Sequence, residues 1–136
     1  MTESPDVAAA GIFRELHAAV LPVTDMARSR KFYEETLGLR PRKVGAEGIL
    51  VVYGTGGPTN VCLYVADAVG DPVPPVIGGA FPSWRTDDIE ATHALLDGRG
   101  VECSPISAGD ALMFFVFRDP DGNRHDVCQY GPGWLE

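Results

Sequence analysis

The chain has 136 residues, 45% of them apolar and 22% charged, which is typical of one globular domain with its own hydrophobic core. Its formal net charge of −8 repels phosphate backbones, which disfavours a nucleic-acid partner and favours a neutral or cationic ligand. No apolar run reaches the roughly 20 residues of a membrane-spanning helix, and the first residues lack the basic flank and apolar stretch of a signal peptide. We therefore expect a cytoplasmic protein without membrane contact.

The first half begins with a predicted strand and a predicted helix. LHAAVLPV, residues 16–23, has the composition of a strand. Asp25 can cap the first turn of a helix, and Gly38 can end that helix in the left-handed conformation. The apolar residues between them fall close to a 3.6-residue period. Two further strands are predicted at residues 49–54 (ILVVYG) and 60–65 (NVCLYV).

The second half repeats this order. FPSWRT, residues 81–86, predicts a strand, and a second helix is expected to begin at Asp87 and to end at Gly100. Strands are predicted again at residues 111–118 (ALMFFVFR) and 125–130 (HDVCQY). Each half therefore contains a strand, a helix and two or three further strands.

The motif DPDGN separates the last two predicted strands. Proline fixes the φ angle of a turn's second residue, and Gly122 or Asn123 can adopt a positive φ. The motif therefore predicts a tight hairpin without requiring any chemistry.

Two offsets define the internal repeat. The helix borders recur after 62 residues, whereas the pentapeptides NVCLY and DVCQY recur after 66 residues. The repeat predicts a single domain made of two modules, joined by a Pro- and Gly-rich segment without regular structure and flanked by mobile tails. The expected boundaries are 1–13 for the N-terminal tail, 14–131 for the domain, about 14–65 and 80–131 for the modules, 66–79 for the linker and 132–136 for the C-terminal tail.

LPVTDMARSRKFYEETLGL and FFVFRDPDGNRHDV resemble the two signature regions of the vicinal oxygen chelate superfamily. This superfamily groups glyoxalase I, extradiol dioxygenases, fosfomycin resistance enzymes and bleomycin resistance proteins. The resemblance covers about residues 14–131 and implies an α+β fold, in which two tandem βαβββ modules form a curled mixed-sheet cleft. The two pentapeptides then become matching final strands. The resemblance also implies a homodimer.

In metalloenzymes of this superfamily, each module supplies a histidine early in its first strand and a glutamate in its last strand, with variations. Carried over residue by residue, these positions fall on Ala18 and Asn60 in the first half, and on Ala80 or Phe81 and Asp126 in the second half. Only Asp126 is a strong ligand, and a divalent ion needs three or four well-placed donors. We therefore expect no metal and no other cofactor. The alternative is a Zn, Ni, Fe or Mn ion held by Asp126 and unexpected partners.

The histidines offer little help to a metal site. His17 lies one residue before the Ala18 position, and a shift of one residue along a strand turns the side chain to the opposite face. His125 has the same parity problem beside Asp126, and His93 is expected on the surface of the second helix.

The three cysteines are expected to be free, mostly buried thiols, since they form neither a paired framework nor a CxxC signature. A soft metal site made of Cys62, Cys128 and Asp126 is an alternative, but it lacks imidazole partners.

The predicted ligand-binding residues line one cleft. Strand alternation places Cys62 and Tyr64 on the face of Asn60, and Cys128 and Tyr130 on the face of Asp126. Aromatic side chains from two other strands are expected to add walls. The complete predicted set is Asn60, Cys62, Tyr64, Trp84, Phe115, Asp126, Cys128 and Tyr130.

Two functions follow from the resemblance. The first is a metal-free binding protein, similar to the bleomycin resistance branch, that sequesters a cationic or aromatic organic ligand and so confers antibiotic resistance. The second is an enzyme, either a metal-dependent lyase, isomerase or dioxygenase, or a metal-free catalyst in which a desolvated Asp126 with a raised pKa transfers protons. The sequence leaves both open.

Overall fold

The computed structural model describes residues 11–74, 79–109 and 111–131. The first half forms a four-stranded sheet in the order β1-β4-β3-β2, with β1 parallel to β4 and the other pairs antiparallel. Its elements are β1 (Ala18–Val23), α1 (Met26–Lys31), β2 (Arg40–Gly45), β3 (Leu50–Gly54) and β4 (Asn60–Val65).

The second half forms a sheet of the same topology, in the order β5-β8-β7-β6. Its elements are β5 (Ser83–Arg85), α2 (Ile89–Gly98), β6 (Ser107–Ala108), β7 (Leu112–Arg118) and β8 (Arg124–Tyr130). The expected α+β fold of two βαβββ modules is therefore confirmed. The strands β2 and β6 had no specific counterpart among the predicted strands.

The segments outside the two halves are described only in part. Of the predicted tails, residues 1–10 and 132–136 lie outside the described residues, as do 75–78 of the predicted linker. The start of the linker contains a short 3-10 turn, Asp67–Val69, which corrects the expectation that it holds no regular structure. Neither described helix is long and apolar enough to cross a membrane.

The first helix contains one residue more than the second, and a π-helical turn accommodates it. Asp25 caps α1 by accepting from the Arg28 amide at 3.1 Å, as expected. The helix then continues as a π-helical turn over Phe32–Thr36, with a bond from the Leu37 amide to the Phe32 carbonyl of 3.0 Å. Such a turn spans five residues instead of four. Gly38 follows with a φ of 76°, the left-handed end that was predicted.

The second helix begins one residue later than expected. Asp88, not Asp87, is the capping residue, since its carboxylate accepts from the Ala91 amide at 3.0 Å. Gly100 ends the helix region with a φ of 82°. Without the π-helical turn, the distance from cap to glycine is one residue shorter than in the first half.

Each sheet packs one face against its helix and leaves the other face open. In β4 the residues Val61 and Leu63 are buried in the first core, and in β8 the residue Val127 is buried in the second core. Phe32 and Trp84 pack against both cores, so the two halves join on this helix side. The opposite side of each sheet, named the open face below, carries the residues of the other strand parity.

The DPDGN motif forms the predicted hairpin and also joins the two halves. Gly122 has a φ of 85°, and the Asp119 amide donates to the Asn123 carbonyl at 3.0 Å. From this hairpin, Asp121 accepts from the Thr24 hydroxyl at 2.6 Å and from the Arg28 guanidinium at 2.9 Å. Nδ2 of the Asn123 side chain donates to the Pro22 carbonyl at 2.7 Å. The turn of the second half thus holds the start of α1 in the first half.

A buried hydrogen-bond chain crosses the same junction. The Trp84 indole can only donate, so Nδ1 of His125 accepts from it at 3.0 Å, and Nε2 carries the proton. Nε2 donates to the Tyr33 hydroxyl at 2.9 Å, and that hydroxyl donates to Asp119 at 2.7 Å. Burial lowers the pKa of His125 to about 4 and raises the pKa of Tyr33 well above its usual range.

Candidate functional site

Six of the eight predicted ligand-binding residues have the strand parity of the open faces, three of them on each sheet. The buried partners Val61, Leu63 and Val127 on the helix side fix the parity of β4 and β8. The residues that alternate with them lie on the open faces. They are Asn60, Cys62 and Tyr64 in the first half and Asp126, Cys128 and Tyr130 in the second half.

The strand register corrects one of the four metal-ligand positions. Ala18 pairs with Asn60 in the first half, and Ser83 pairs with Asp126 in the second half. The position expected at Ala80 or Phe81 is therefore Ser83. The expectation was wrong because Ser83 lies only five positions before its helix cap Asp88, whereas Ala18 lies seven positions before the cap Asp25.

Asn60 is buried and its amide orientation is fixed by its neighbours. Only 3% of the residue is exposed. Its Nδ2 donates to the His17 carbonyl at 3.0 Å, and its Oδ1 accepts from Nη1 of Arg42 at 2.8 Å. Nδ1 of the His17 ring lies 3.3 Å from the same Nδ2. His17 therefore lies beside Asn60 and not on the opposite face, because it precedes the first residue of β1 and strand alternation does not reach it.

Asp126 occupies the equivalent position of the second half and is held by an arginine as well. Its Oδ1 accepts from Nε of Arg124 at 2.9 Å, and its Oδ2 accepts from Nη2 of the same residue at 3.4 Å. The Arg124 guanidinium carbon lies 4.2 Å from the centre of the Phe81 ring, within reach of a cation–π attraction. The carboxylate is thus ion-paired and not isolated.

The residues at the four superfamily ligand positions do not fit a metal ion. Ala18 has no donor atom, Asn60 is engaged by Arg42, Ser83 is a neutral hydroxyl, and Asp126 is paired with Arg124. Within residues 11–74, 79–109 and 111–131, no group of three or more histidine, cysteine and acidic side chains could hold a metal ion. The soft site of Cys62, Cys128 and Asp126 is therefore not formed there, and no reaction step through a metal is derived.

The Cys62 thiol and the two phenols beside these residues have raised pKa values. All three cysteines are free, and burial raises the pKa of Cys62. The hydrogen bond to Asp71, 2.8 Å long, raises the pKa of Tyr64, and a hydrogen bond with Cys128 raises that of Tyr130. Ser83 Oγ lies 3.6 Å from Cys128 Sγ. At neutral pH the Cys62 thiol and the phenols of Tyr64 and Tyr130 are therefore neutral hydrogen-bonding groups.

Two predicted aromatic residues do not lie on the open face. Phe115 is completely buried in the second core, and Trp84 packs against both cores on the helix side while it donates to His125. Both residues therefore belong to the interior. Phe114 takes the open-face position of β7 instead, since it pairs with Cys128. His93 was expected on the helix surface, but its Nε2 lies 2.9 Å from the Ser104 carbonyl and its ring packs edge-on against Phe115.

A cavity of about 230 Å³ lies on the helix side, where the two halves meet. Leu37 and Leu39 line it from the first half, and Trp84, Leu96 and Phe117 from the second half. Its volume is below the roughly 300–1,000 Å³ of most ligand pockets. It lies on the other side of the sheet from Asn60 and Asp126. We therefore treat it as a packing gap between two joined cores and take the open faces as the candidate site.

Two arginines of the site were missing from the sequence prediction. Arg124 could have been found, because it lies two residues before Asp126 and therefore shares its face. Arg42 gave no such signal, because it reaches Asn60 from a β-bulge that interrupts the register between Pro41 and Lys43.

The chain has the architecture of proteins built from two βαβββ modules. In each module the first strand pairs with the last, and the four ligand positions lie on these strands. The family model for the "Glyoxalase/Bleomycin resistance protein/Dioxygenase superfamily" matches residues 15–127, and the chain belongs to this superfamily.

Solved structures of other proteins have the same fold. TnmS3, described as an antibiotic binding protein from Streptomyces sp. CB03234, is 26% identical, with a TM-score of 0.72 and coverage of 88% of this chain and 98% of the other. A superfamily member from Sphaerobacter thermophilus DSM 20745 is 25% identical, with a TM-score of 0.75 and coverage of 87% and 98%.

One curated relative is described as an enzyme. A "Probable lactoylglutathione lyase, chloroplastic" of Arabidopsis thaliana is 30% identical over 129 residues, which are 88% of this chain. The chain spans only about a third, 36%, of the length of that relative.

Proposed function

We propose that this protein is a metal-free binding protein that sequesters a small aromatic organic molecule on its open faces. The observation that carries the proposal is the chemistry of the four ligand positions. They hold a methyl group, an amide, a hydroxyl and one carboxylate, and arginines engage both the amide and the carboxylate. Such a set supports hydrogen bonding to an organic ligand and not chelation of an ion.

The surroundings of these positions support an aromatic ligand. Tyr64 and Tyr130 lie on the open faces, four residues after Asn60 and Asp126 respectively. Phe114 pairs with Cys128 on the neighbouring strand. Aromatic faces with a few fixed polar groups are the usual lining of sites for small organic molecules. The likeness to TnmS3, described as an antibiotic binding protein, supports sequestration of this kind and a role in antibiotic resistance.

A second candidate is an enzyme, which the likeness to the probable lactoylglutathione lyase favours. A metal-dependent lyase, isomerase or dioxygenase would need ligands that these positions lack. A metal-free acid–base catalyst would need a carboxylate free to exchange protons, and Asp126 is engaged by both Nε and Nη2 of Arg124. We therefore rank the enzyme below the binding protein.

We also propose that the protein forms a homodimer. Val20 on the edge strand β1 is 56% exposed, and Phe13, shortly before this strand, is 85% exposed. Ile12 and Leu16 are exposed as well. Apolar side chains beside an exposed strand edge favour association with a second copy.

Metal analysis tests the proposal directly. The purified protein is expected to contain no stoichiometric Zn, Ni, Fe or Mn, and stoichiometric metal in any of these forms would overturn the proposal in favour of the enzyme. A matched variant calibrates the measurement. Ala18→His, Asn60→Glu and Ser83→His, combined with the natural Asp126, would restore two imidazoles and two carboxylates at the four positions. Calorimetry with NiCl₂ and ZnCl₂ is expected to detect binding to this triple variant alone.

A ligand screen supplies the second test. Amide NMR spectra are recorded with a panel of aromatic compounds of positive, zero and negative charge. Some of these compounds are expected to shift the amide signals of β4 and β8 in a saturable manner. If no compound of any charge shifts them, the sequestration proposal is wrong.

A further inference from the structure

The charge of the strands differs from the net charge, on which the prediction of a cationic ligand was based. The strands of the described residues contain six basic residues and one acid, Asp126, which leaves five basic and eighteen acidic residues for the rest of the chain. The negative charge of the protein thus lies mainly on its helices and loops. The six basic strand residues are Arg40, Arg42, Lys43, Arg85, Arg118 and Arg124.

The Arg42 side chain reaches the open face because of two backbone features, a β-bulge at Arg42 itself and a glycine at position 54. It is the extra residue of the β-bulge in β2, where Pro41 pairs with Tyr53 and Lys43 pairs with Val52. A bulge of this kind changes the direction of a side chain. The side chain then crosses the middle strand β3 at Gly54, where a Cβ atom would lie 3.1 Å from Cδ of Arg42. The missing side chain of Gly54 thus leaves room for the arginine stem.

Asn60 holds the guanidinium at the end of this path without neutralising it. Its Oδ1 is directed to Arg42, since Nδ2 is occupied by the His17 carbonyl. The salt bridges among the described residues involve Arg28, Arg30 and Arg124, and none of them involves Arg42. A neutral acceptor therefore positions one N–H of Arg42 and leaves its positive charge and its other donors available.

In the second half an arginine also contacts the equivalent position, but it comes from the same strand and its charge is neutralised. Asp126 occupies the position equivalent to Asn60 and holds Arg124. The carboxylate neutralises the positive charge of this arginine. The amide in NVCLY and the acid in DVCQY therefore determine which arginine is free for another anion.

We propose that Arg42, positioned by Asn60 and Gly54, binds a carboxylate group of the ligand on the open face of the first half. This inference rests on the proposed function and names the chemical class of its ligand, an aromatic carboxylate. Arginine suits this role because its planar guanidinium forms paired hydrogen bonds with a carboxylate.

The test uses three naphthalene probes of the same shape and different charge. They are naphthalene-2-carboxylate, naphthalene-2-carboxamide and naphthalen-2-ylmethylammonium. The full chain is titrated with each probe, and the dissociation constant is taken from the amide signals of β4. The carboxylate is expected to bind at least about tenfold more tightly than the other two, the difference that one charge-assisted hydrogen bond makes.

The decisive variants exchange the amide and the acid. Asn60→Asp gives Arg42 the ionic partner that Arg124 has, and it is expected to remove the preference for the carboxylate while binding of the carboxamide persists. Asp126→Asn releases Arg124, and the carboxylate is then expected to shift the amide signals of β8 as well. Gly54→Val displaces the Arg42 stem without any change of charge and is expected to act like Asn60→Asp.

Lys31→Gln serves as the control for net charge, since it removes one positive charge from the exposed surface of α1. It is expected to leave the preference unchanged. Equal binding of the three probes to the wild type, a preference that survives Asn60→Asp, or no binding of the carboxylate would overturn the inference. If the uncharged or cationic probe still shifts β4, the sequestration proposal stands and only the ligand class is wrong. If no probe and no member of the wider panel binds, the sequestration proposal fails with it.

Discussion

The helix side and the open side of the two sheets use polar residues in different ways. On the helix side, Asp119 accepts four hydrogen bonds, and among the described residues no buried side-chain nitrogen or oxygen is without a partner. On the open side, Arg42 is joined to one neutral amide and keeps its charge. Polar groups of the helix side stabilise the junction of the halves, and those of the open side remain available to a ligand. The DPDGN motif therefore stabilises the fold, whereas the proposed ligand would contact residues outside this motif.

The largest expected effect belongs to the helix side. Asp119→Ala would leave the Tyr33 hydroxyl and the backbone amides of Asp121 and Asn123 without an acceptor. We expect a loss of about 4 kcal/mol in the free energy of unfolding, because several buried donors lose their partner at once. Chemical denaturation measures it. A loss below about 1 kcal/mol would show that the junction does not depend on this carboxylate.

The buried histidine makes the same junction sensitive to acid. Unfolded His125 takes up a proton near pH 6.5, whereas in the folded chain its pKa is lowered to about 4 by burial. Protonation thus favours the unfolded chain as the pH falls from about 6.5 to about 4, and the loss of stability reaches about 3 kcal/mol. Tyr33 and Asp119 are the other titratable groups of this chain of hydrogen bonds.

Denaturation curves at several pH values between 7 and 4 measure this dependence. His125→Gln keeps an acceptor for the indole and a donor for Tyr33 but cannot titrate in this range. The variant is expected to have a flatter profile, even if it is less stable at pH 7. A profile as steep as that of the wild type would assign the acid sensitivity to the carboxylates instead.

Arg124→Gln tests the open side and has a smaller expected effect on stability. The Arg124 side chain is 39% exposed, so solvent screens its ion pair with Asp126, and we expect a change of less than about 1 kcal/mol. Arg124→Lys is the matched control, because it keeps the charge but loses the planar contact with Phe81. A loss of unfolding free energy as large as that of Asp119→Ala would show that the polar residues of the open side stabilise the fold as much as those of the helix side.

The smallest expected effect is that of a chelator. Incubation with EDTA, followed by dialysis, should leave the melting temperature unchanged, since the proposed metal-free protein has no bound ion to lose. The triple variant with restored ligand positions, loaded with Ni²⁺, should lose stability under the same treatment. A lowered melting temperature of the wild type would point to a metal site outside the four ligand positions.

Much of the architecture could be predicted because it follows from local rules. Strand alternation placed Asn60 and Cys62 on the opposite face from Val61 and Leu63, and a capping aspartate and a left-handed glycine marked the limits of α1. Because the sequence contains an internal repeat, a weak strand or helix pattern in one half could be confirmed by the equivalent pattern in the other half.

The errors arose where one half contains a residue that the other lacks. The shorter connection between β5 and α2 moved the ligand position to Ser83, and the π-helical turn lengthened α1 by one residue. The bulge at Arg42 was not predicted for the same reason. An insertion of one residue depends on tertiary packing and does not change the sequence pattern in a recognisable way. Trp84 and Phe115 were misplaced because an aromatic strand residue suits a core and a binding site equally well.

The hairpin that carries DPDGN makes the molecule's twofold repeat asymmetric. The equivalent loop of the first half, residues 55–59, contains no acid, and the Thr55 hydroxyl bonds within the loop to the Thr59 carbonyl. The bonds of this hairpin therefore run from the later module to the earlier one and join two unlike modules. An earlier module of one copy could be held in the same way by the later module of another copy, so this joint is compatible with an exchange of whole modules between chains.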